Sequence, residues 1–217
     1  MNLSAQTLTI GLLEPSTIPC KPIQLIGYQH FILNQIITDQ KINQLEELLS
    51  YIKKFIREHA LKKYSFCIAL HHSVISEKFL SQPSEFVSSD LFCESGKQYN
   101  CTYLGSQSES FIFYQCALAM PLLFQLNLIG IKLKKDIPLI TTTNYCLLWL
   151  IKHIKGQAFR HAQLTSYIQQ NNLTIAQHTV NELVNRFVHN PKLIDINNQM
   201  AFLLPLIGLY CMKEGVA

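Results

Sequence analysis

Hydrophobic and polar positions change their spacing several times along the chain, and each change predicts an element. Residues 5 to 14 and 22 to 34 mix β-branched, aromatic and alternating polar positions, which predicts two strands. Between them "EPSTIPCKP" is turn material. From Lys41 to His59 the apolar residues Ile42, Leu45, Leu48, Leu49, Ile52, Phe55 and Ile56 recur at helical spacing. Glu46, Glu47, Lys53, Lys54, Arg57 and Glu58 fall mostly on the other face, so this stretch predicts an amphipathic helix. "YSFCIALHHSVISEKFL" then reads as a buried strand, a polar break at His71 to Ser73 and a further short segment. Residues 81 to 110 hold eight serines and few apolar residues, which predicts a loop.

The run from Ser110 to Ile131, "SFIFYQCALAMPLLFQLNLIGI", carries no charge and is followed by Lys132, Lys134 and Lys135. It is long enough to cross a bilayer with positive residues on one side. Gln115, Gln125 and Asn127 oppose that reading, because each is costly in lipid without a partner. Pro121 divides the run into an aromatic, β-branched half and a half that opens with proline at the first helical position. The two readings are a membrane span and a buried strand followed by a helix.

"DIPLITTT" predicts a strand, and Asn144 can cap a helix running through Ile154. That helix is apolar nearly all round and so predicts a buried one, with Trp149 in the core. "FRHAQLTSYIQQNNLTIAQHTVNELVNRF" predicts two helices joined at Asn171 and Asn172, with Thr174 and Gln177 in capping-box positions. The last apolar stretch, Met200 to Met212, predicts a helix with Pro205 inside it, too short to span a membrane.

Composition narrows the function classes. With 217 residues and 48% apolar content the chain can bury a sizeable core. The formal net charge of +4 is spread thinly, so no basic block points to nucleic acid or anionic lipid. Seven cysteines without a CxxC pair suit buried free thiols in a reducing compartment. "MNLSAQTLTIGLL" shows no basic segment and no small-residue cleavage site, which fits a cytosolic chain. The histidine spacings match no recurrent zinc pattern, and no GxSxG, HExxH or kinase-type motif appears. Adjacent His71, His72 and Ser73 could be read as base and nucleophile, but neighbours on an extended chain point apart. The segment 163–188 could be a helix-turn-helix, with Gln177, His178 and Asn181 facing bases; Arg186 is then its only cation and Glu182 opposes it.

The order of elements, with the wording of several segments, resembles PilM-type type IV pilus assembly proteins, which share an actin-like fold with the cell-division protein FtsA. "LTIGLLEPSTIP" followed by "IQLIGYQHFIL" is similar to their opening hairpin. "LEELLSYIKKFIREHALKKYSFCIALHHSVISEKF" is similar to the helix and strand leading to their inserted subdomain. "FIFYQCALAMPLLFQLNLIGIKLKKDIPLITTTNYCLLWLIKHI" is similar to the rest of that insertion and the next helix, and "AFLLPLIGLYCMKEG" to the closing helix. The resemblance implies a truncated actin-like (ribonuclease-H-like) α/β half over residues 1–155, with an insertion at about 71–143 and a helical segment 156–217 packed on it.

The family's first hairpin carries a glycine-flanked aspartate that serves phosphate and metal. Aligned on Gly11, those places hold Leu13 and Pro15, which supply neither a metal ligand nor a backbone donor. The half of the family carrying the second phosphate loop is replaced by the short segment 156–198. The resemblance therefore implies no cofactor, no metal and no catalysis. It implies a cytosolic scaffold, peripheral to the inner membrane, that grips the N-terminal tail of a bitopic pilus or secretion partner. His71, His72 and Ser73, where the main part meets its insertion, are the candidate groove residues. Three readings stand beside this one: a DNA-binding regulator using 163–188, a small enzyme using His71 or His72, and a membrane-spanning protein.

Overall fold

A computed structural model describes residues 1–17, 22–34, 36–83, 96–107, 110–155, 168–169, 172–173, 184–189 and 200–215. The chain opens with three antiparallel strands, β1 (Asn2–Leu3), β2 (Thr7–Pro15) and β3 (Ile23–Ile32). The short pair β4 (Ile37–Thr38) and β5 (Lys41–Ile42) follows, then α1 (Leu45–Glu58) and β6 (Ile68–Leu70). β6 lies parallel to β1, and β10 (Ile140–Thr142) lies parallel to β6. The main sheet therefore runs β10-β6-β1-β2-β3, which is the strand order of a ribonuclease-H-like half. β1, only two residues long, sits at its centre and was not foreseen by the apolar pattern, because so short a strand has no readable period.

Between β6 and β10 the chain leaves this sheet. β7 (Ser76–Pro83), β8 (Lys97–Gln107) and β9 (Ser110–Ala119) form a separate antiparallel sheet ordered β7-β9-β8. The loop expected over residues 81–110 is thus corrected for its second half: β8 is held by its full-length pairing with β9 despite its polar sequence. The charge-free run splits at Met120 into β9 and α2 (Met120–Leu133), with Pro121 in the first turn of the helix. No helix among the described residues is long and apolar enough to cross a membrane.

The sheet has a core on each face. α1 buries Leu48, Leu49, Ile52 and Phe55, and α2 buries Leu122, Leu126 and Ile129, against Leu3, Leu8, Ile10, Ile68 and Leu70. Glu46 and Glu47 in the first turn of α1 and Arg57 in the last complement its dipole. Gln125 of α2 brackets one residue of β5: the Ile42 N–H donates to Oε1 at 2.7 Å, and Nε2 donates to the Ile42 carbonyl at 2.5 Å. On the opposite face lie α3 (Thr143–Lys155) and α4 (Met200–Glu214), the latter passing through Pro205. They enclose Ile23, Leu25, Ala69, Cys146, Leu150, Leu203 and Ile207. A register shift between Leu12 and Leu13 lets β3 turn Ile23 and Leu25 to this core while Phe31, further along, packs toward α1.

The helical reading of 156–217 needs correction. Val188–His189 forms a strand, β13, parallel to β3 at the edge of the main sheet. Ile168–Gln169 (β11) and Asn172–Leu173 (β12) pair antiparallel at the place where two helices were to be joined. Polar side chains of "SYIQQNNL" gave that stretch a helix-like look, while the two asparagines suit a tight reversal equally well. Where the helix-turn-helix over 163–188 was expected to turn, the described residues are these two short strands, and most of the segment lies outside the described residues. Val184 to Phe187 are helical, whereas Gln177, His178, Asn181 and Glu182 lie outside the described residues.

Candidate functional site

The three parallel strands β1, β6 and β10 end together, and in open α/β sheets the crevice outside such carboxyl ends is where ligands bind. Each strand end here carries polar residues. After β1 the chain turns over Ser4, whose Oγ accepts the N–H groups of Gln6 at 3.2 Å and Thr7 at 2.8 Å. After β6 come His71, His72 and Ser73. The His71 N–H donates to the Leu3 carbonyl at 2.8 Å, and the Ala5 N–H donates to Ser73 Oγ at 3.0 Å, so this turn is tied to the β1–β2 hairpin.

His71 Nδ1 lies 3.1 Å from Ser73 Oγ and accepts the Ser73 N–H at 3.3 Å, which leaves its proton on Nε2. Burial, and secondarily the neighbouring His72, lowers the His71 pKa to about 4. At neutral pH it is an uncharged hydrogen-bonding group. The His72 ring lies beside it, tilted by 40° with ring centroids 3.8 Å apart, and is itself exposed. Nδ1 is thus engaged by its own turn, through both the hydroxyl and the N–H of Ser73.

A second group of residues, not singled out in the sequence, joins the inserted sheet to the main one. Tyr145 N–H donates to Thr142 Oγ1 at 3.0 Å, and Thr142 Oγ1 in turn contacts the Tyr114 hydroxyl. The Tyr114 hydroxyl donates to Glu77, whose other oxygen accepts the Asn144 amide at 2.6 Å. Thr143 Oγ1 donates to Asn2 Oδ1 at 3.0 Å, fastening the start of α3 to β1. The chain of donors runs in one direction, from the first turn of α3 to a carboxylate on β7. Thr142, not Asn144, thus caps α3; Asn144 is free to hold Glu77.

Glu77 is a carboxyl group turned into the protein interior rather than to solvent. Burial raises its pKa, and the hydrogen bonds from Tyr114, Thr142 and Asn144 oppose the shift without cancelling it. A carboxyl raised in the folded state adds stability below its ordinary value of 4.5 and loses it as pH climbs through the raised value. Glu77→Gln is expected to melt increasingly close to, and then above, the wild-type protein as pH rises from 4.5 toward neutrality. Melting curves across that range check it; a difference that does not move with pH contradicts the assignment.

Leu13 and Pro15 are not at the first hairpin. By strand order that hairpin is β1–β2, whose turn holds Ser4, Ala5 and Gln6 and carries neither glycine nor aspartate. "LTIGLLEP" is the length of β2, and Leu13 and Pro15 lie at its far end, lining a cavity of about 220 Å³ with Leu206 and Tyr210 of α4. Among the described residues no group of three or more His, Cys, Asp or Glu side chains is placed to hold a metal ion.

No protein-family model and no curated protein matches the sequence. Solved structures do match. One, of a PilM-PilN type IV pilus biogenesis complex, is similar over 70% of this chain and 49% of that chain, with a TM-score of 0.52 and 8% sequence identity. The chain spans about half the length of that structure. Together with the strand order, this likeness defines the fold class: a partial actin-like, ribonuclease-H-like α/β fold with an inserted sheet and helix.

Proposed function

We propose that the protein is a non-catalytic scaffold of a type IV pilus or related secretion assembly. In this reading it holds the N-terminal tail of a bitopic inner-membrane partner at the junction between the main and inserted sheets, from the cytosolic side and without a nucleotide. The observation that carries the proposal is the coincidence of that junction with the carboxyl ends of β1, β6 and β10 in a fold similar to a pilus assembly protein solved with a partner. The junction suits binding without chemistry. Its hydrogen bonds, part-buried at Glu77 and buried at Thr142, tie the two sheets together, and His72 stands exposed at the rim. A rigid rim spares a bound tail the loss of protein side-chain freedom on association.

The test is fluorescence anisotropy with a labelled peptide carrying the N-terminal tail of a PilN-type protein from the same organism. Saturable binding is expected, weakened about tenfold or more, or ~1.4 kcal/mol, by His72→Glu. Absence of binding, or binding indifferent to His72→Glu, would count against the junction as the docking site.

A further inference from the structure

α2 carries apolar residues on every side, yet only one side is covered. Leu122, Leu126 and Ile129 are buried against the main sheet, while the opposite side presents Met120, Phe124 and Ile131 with 49%, 64% and 69% of their surfaces exposed. With exposed Asn127 they follow one another at spacings of four, three and four residues, which sets them in one stripe about 16 Å long. Three large apolar side chains aligned in water mark an interaction surface.

Cations gather at the end of this stripe. Lys134 and Lys135 share a shallow depression of about 350 Å³ with Ile131, and a second, of about 470 Å³, joins Lys132 to Lys53 and Arg57 of α1. Glu46 pairs with Lys132, Lys135 lies 4.6 Å over the Tyr64 ring, and Asp136 stands exposed beside it. These two acids offset the five cations only in part. Charge that is spread thinly along the sequence is thus concentrated here by the fold.

We propose that the α2 stripe is a docking surface for an anionic lipid bilayer. Met120, Phe124 and Ile131 dip into the boundary between headgroups and acyl chains, and Lys134 with its neighbouring cations meets the negative headgroups. At 14 residues the helix lies on the membrane and does not cross it. Lysine suits the rim, since its apolar stem can follow the surface while its ammonium stays in water. A second copy would meet the stripe with the same cations, whereas an anionic bilayer offers both an apolar interior and negative charge. The inference goes beyond the partner-tail reading and does not rest on it.

The test is flotation of the full chain with vesicles of equimolar phosphatidylcholine and phosphatidylglycerol, with no other protein present. Saturable binding is expected, weakened about tenfold or more by combined Phe124→Gln and Ile131→Gln, and to a similar degree in vesicles of phosphatidylcholine alone. Raising salt from about 50 mM to about 500 mM should weaken it as well, because exposed charges are then screened. Lys134→Glu should lower affinity for the anionic vesicles several-fold. All these side chains are exposed, so the variants should melt within about 2 °C of wild type, which separates lost binding from lost folding. No binding to anionic vesicles, or binding indifferent to the double substitution, overturns the proposal. Equal binding to both vesicle types overturns it too, and so does a dimer in lipid-free solution that the double substitution abolishes, which assigns the stripe to a second copy. Tail binding without vesicle binding removes this inference alone. Vesicle binding without tail binding removes the pilus partner and leaves the membrane surface.

Discussion

Gly208→Val is expected to lower the melting temperature by about 10 °C or more. α3 and α4 cross where Gly208 faces Cys146, and a Cβ added there would lie 2.7 Å from the Cys146 Cβ and 2.8 Å from its carbonyl oxygen. Neither atom belongs to a flexible side-chain end that could swing aside, so the helices themselves must separate. Both are buried against the sheet through Leu150, Leu203 and Ile207, which fixes the distance between them. Overpacking a site of this kind costs about 1–3 kcal/mol and more where backbone must move. Alanine in place of Gly208 makes the same first contact but improves helix propensity by about 1 kcal/mol, so its net loss should be much smaller. Thermal melts of the two variants give the comparison. A valine variant as stable as wild type would mean that α4 does not pack on α3 as described.

Tyr114→Ala is the second large effect, expected to destabilise by about 3–5 kcal/mol from the lost ring alone. The ring is buried between Phe79 and Tyr145, at centroid distances of 5.2 and 5.8 Å. Its hydroxyl is the link between Thr142 on the main sheet and Glu77 on the inserted one. Truncation therefore leaves a buried carboxylate with one donor fewer in addition to a cavity. Tyr114→Phe separates the two contributions: it keeps the ring and should cost about 1–3 kcal/mol, the penalty for an unsatisfied buried partner. Urea denaturation of both variants and of Glu77→Gln, alone and combined, measures the coupling. If Tyr114→Phe and Glu77→Gln act additively, the hydroxyl–carboxyl contact carries no energy of its own.

Much of the fold was legible because its longer elements announce themselves. α1 is set by six apolar residues at helical spacing, Leu45 to Ile56, and the division of Ser110 to Ile131 by Pro121 follows from proline's place in a first turn. The order strand, strand, helix, strand, insertion, strand, helix was sufficient to suggest the actin-like half. The failures have physical causes. β1 and β13 are two residues long and exist only because longer neighbours, β2 and β3, offer them ladder partners. β8 mixes strand-favouring Tyr99, Thr102 and Tyr103 with polar residues and glycine that masked them, and its pairing with β9 makes it a strand. Misplacing the first hairpin followed directly from missing β1, and it moved the phosphate-loop comparison from Ser4–Gln6 to Leu13 and Pro15.

The site was legible only in part. His71, His72 and Ser73 stand out as a polar break after an apolar strand, and the structure places them at the sheet junction. Glu77, Tyr114, Thr142 and Asn144 are spread over 68 positions and meet only through strand pairing and the return of β10 to the main sheet. Glu77 in isolation reads as one more surface acid. Gln115 is visible in the sequence: a glutamine inside an uncharged apolar run is costly in lipid, and it is also costly in a protein core without a partner.

The most direct measurement of the central claim is hydrogen–deuterium exchange of the protein with and without the tail peptide of a PilN-type partner. The expected result is slowed exchange confined to 71–78 and 142–145, on both sides of the junction between the two sheets. Saturating peptide that leaves those amides unchanged, or slows exchange only elsewhere, would contradict the claim that this junction is where the partner is held.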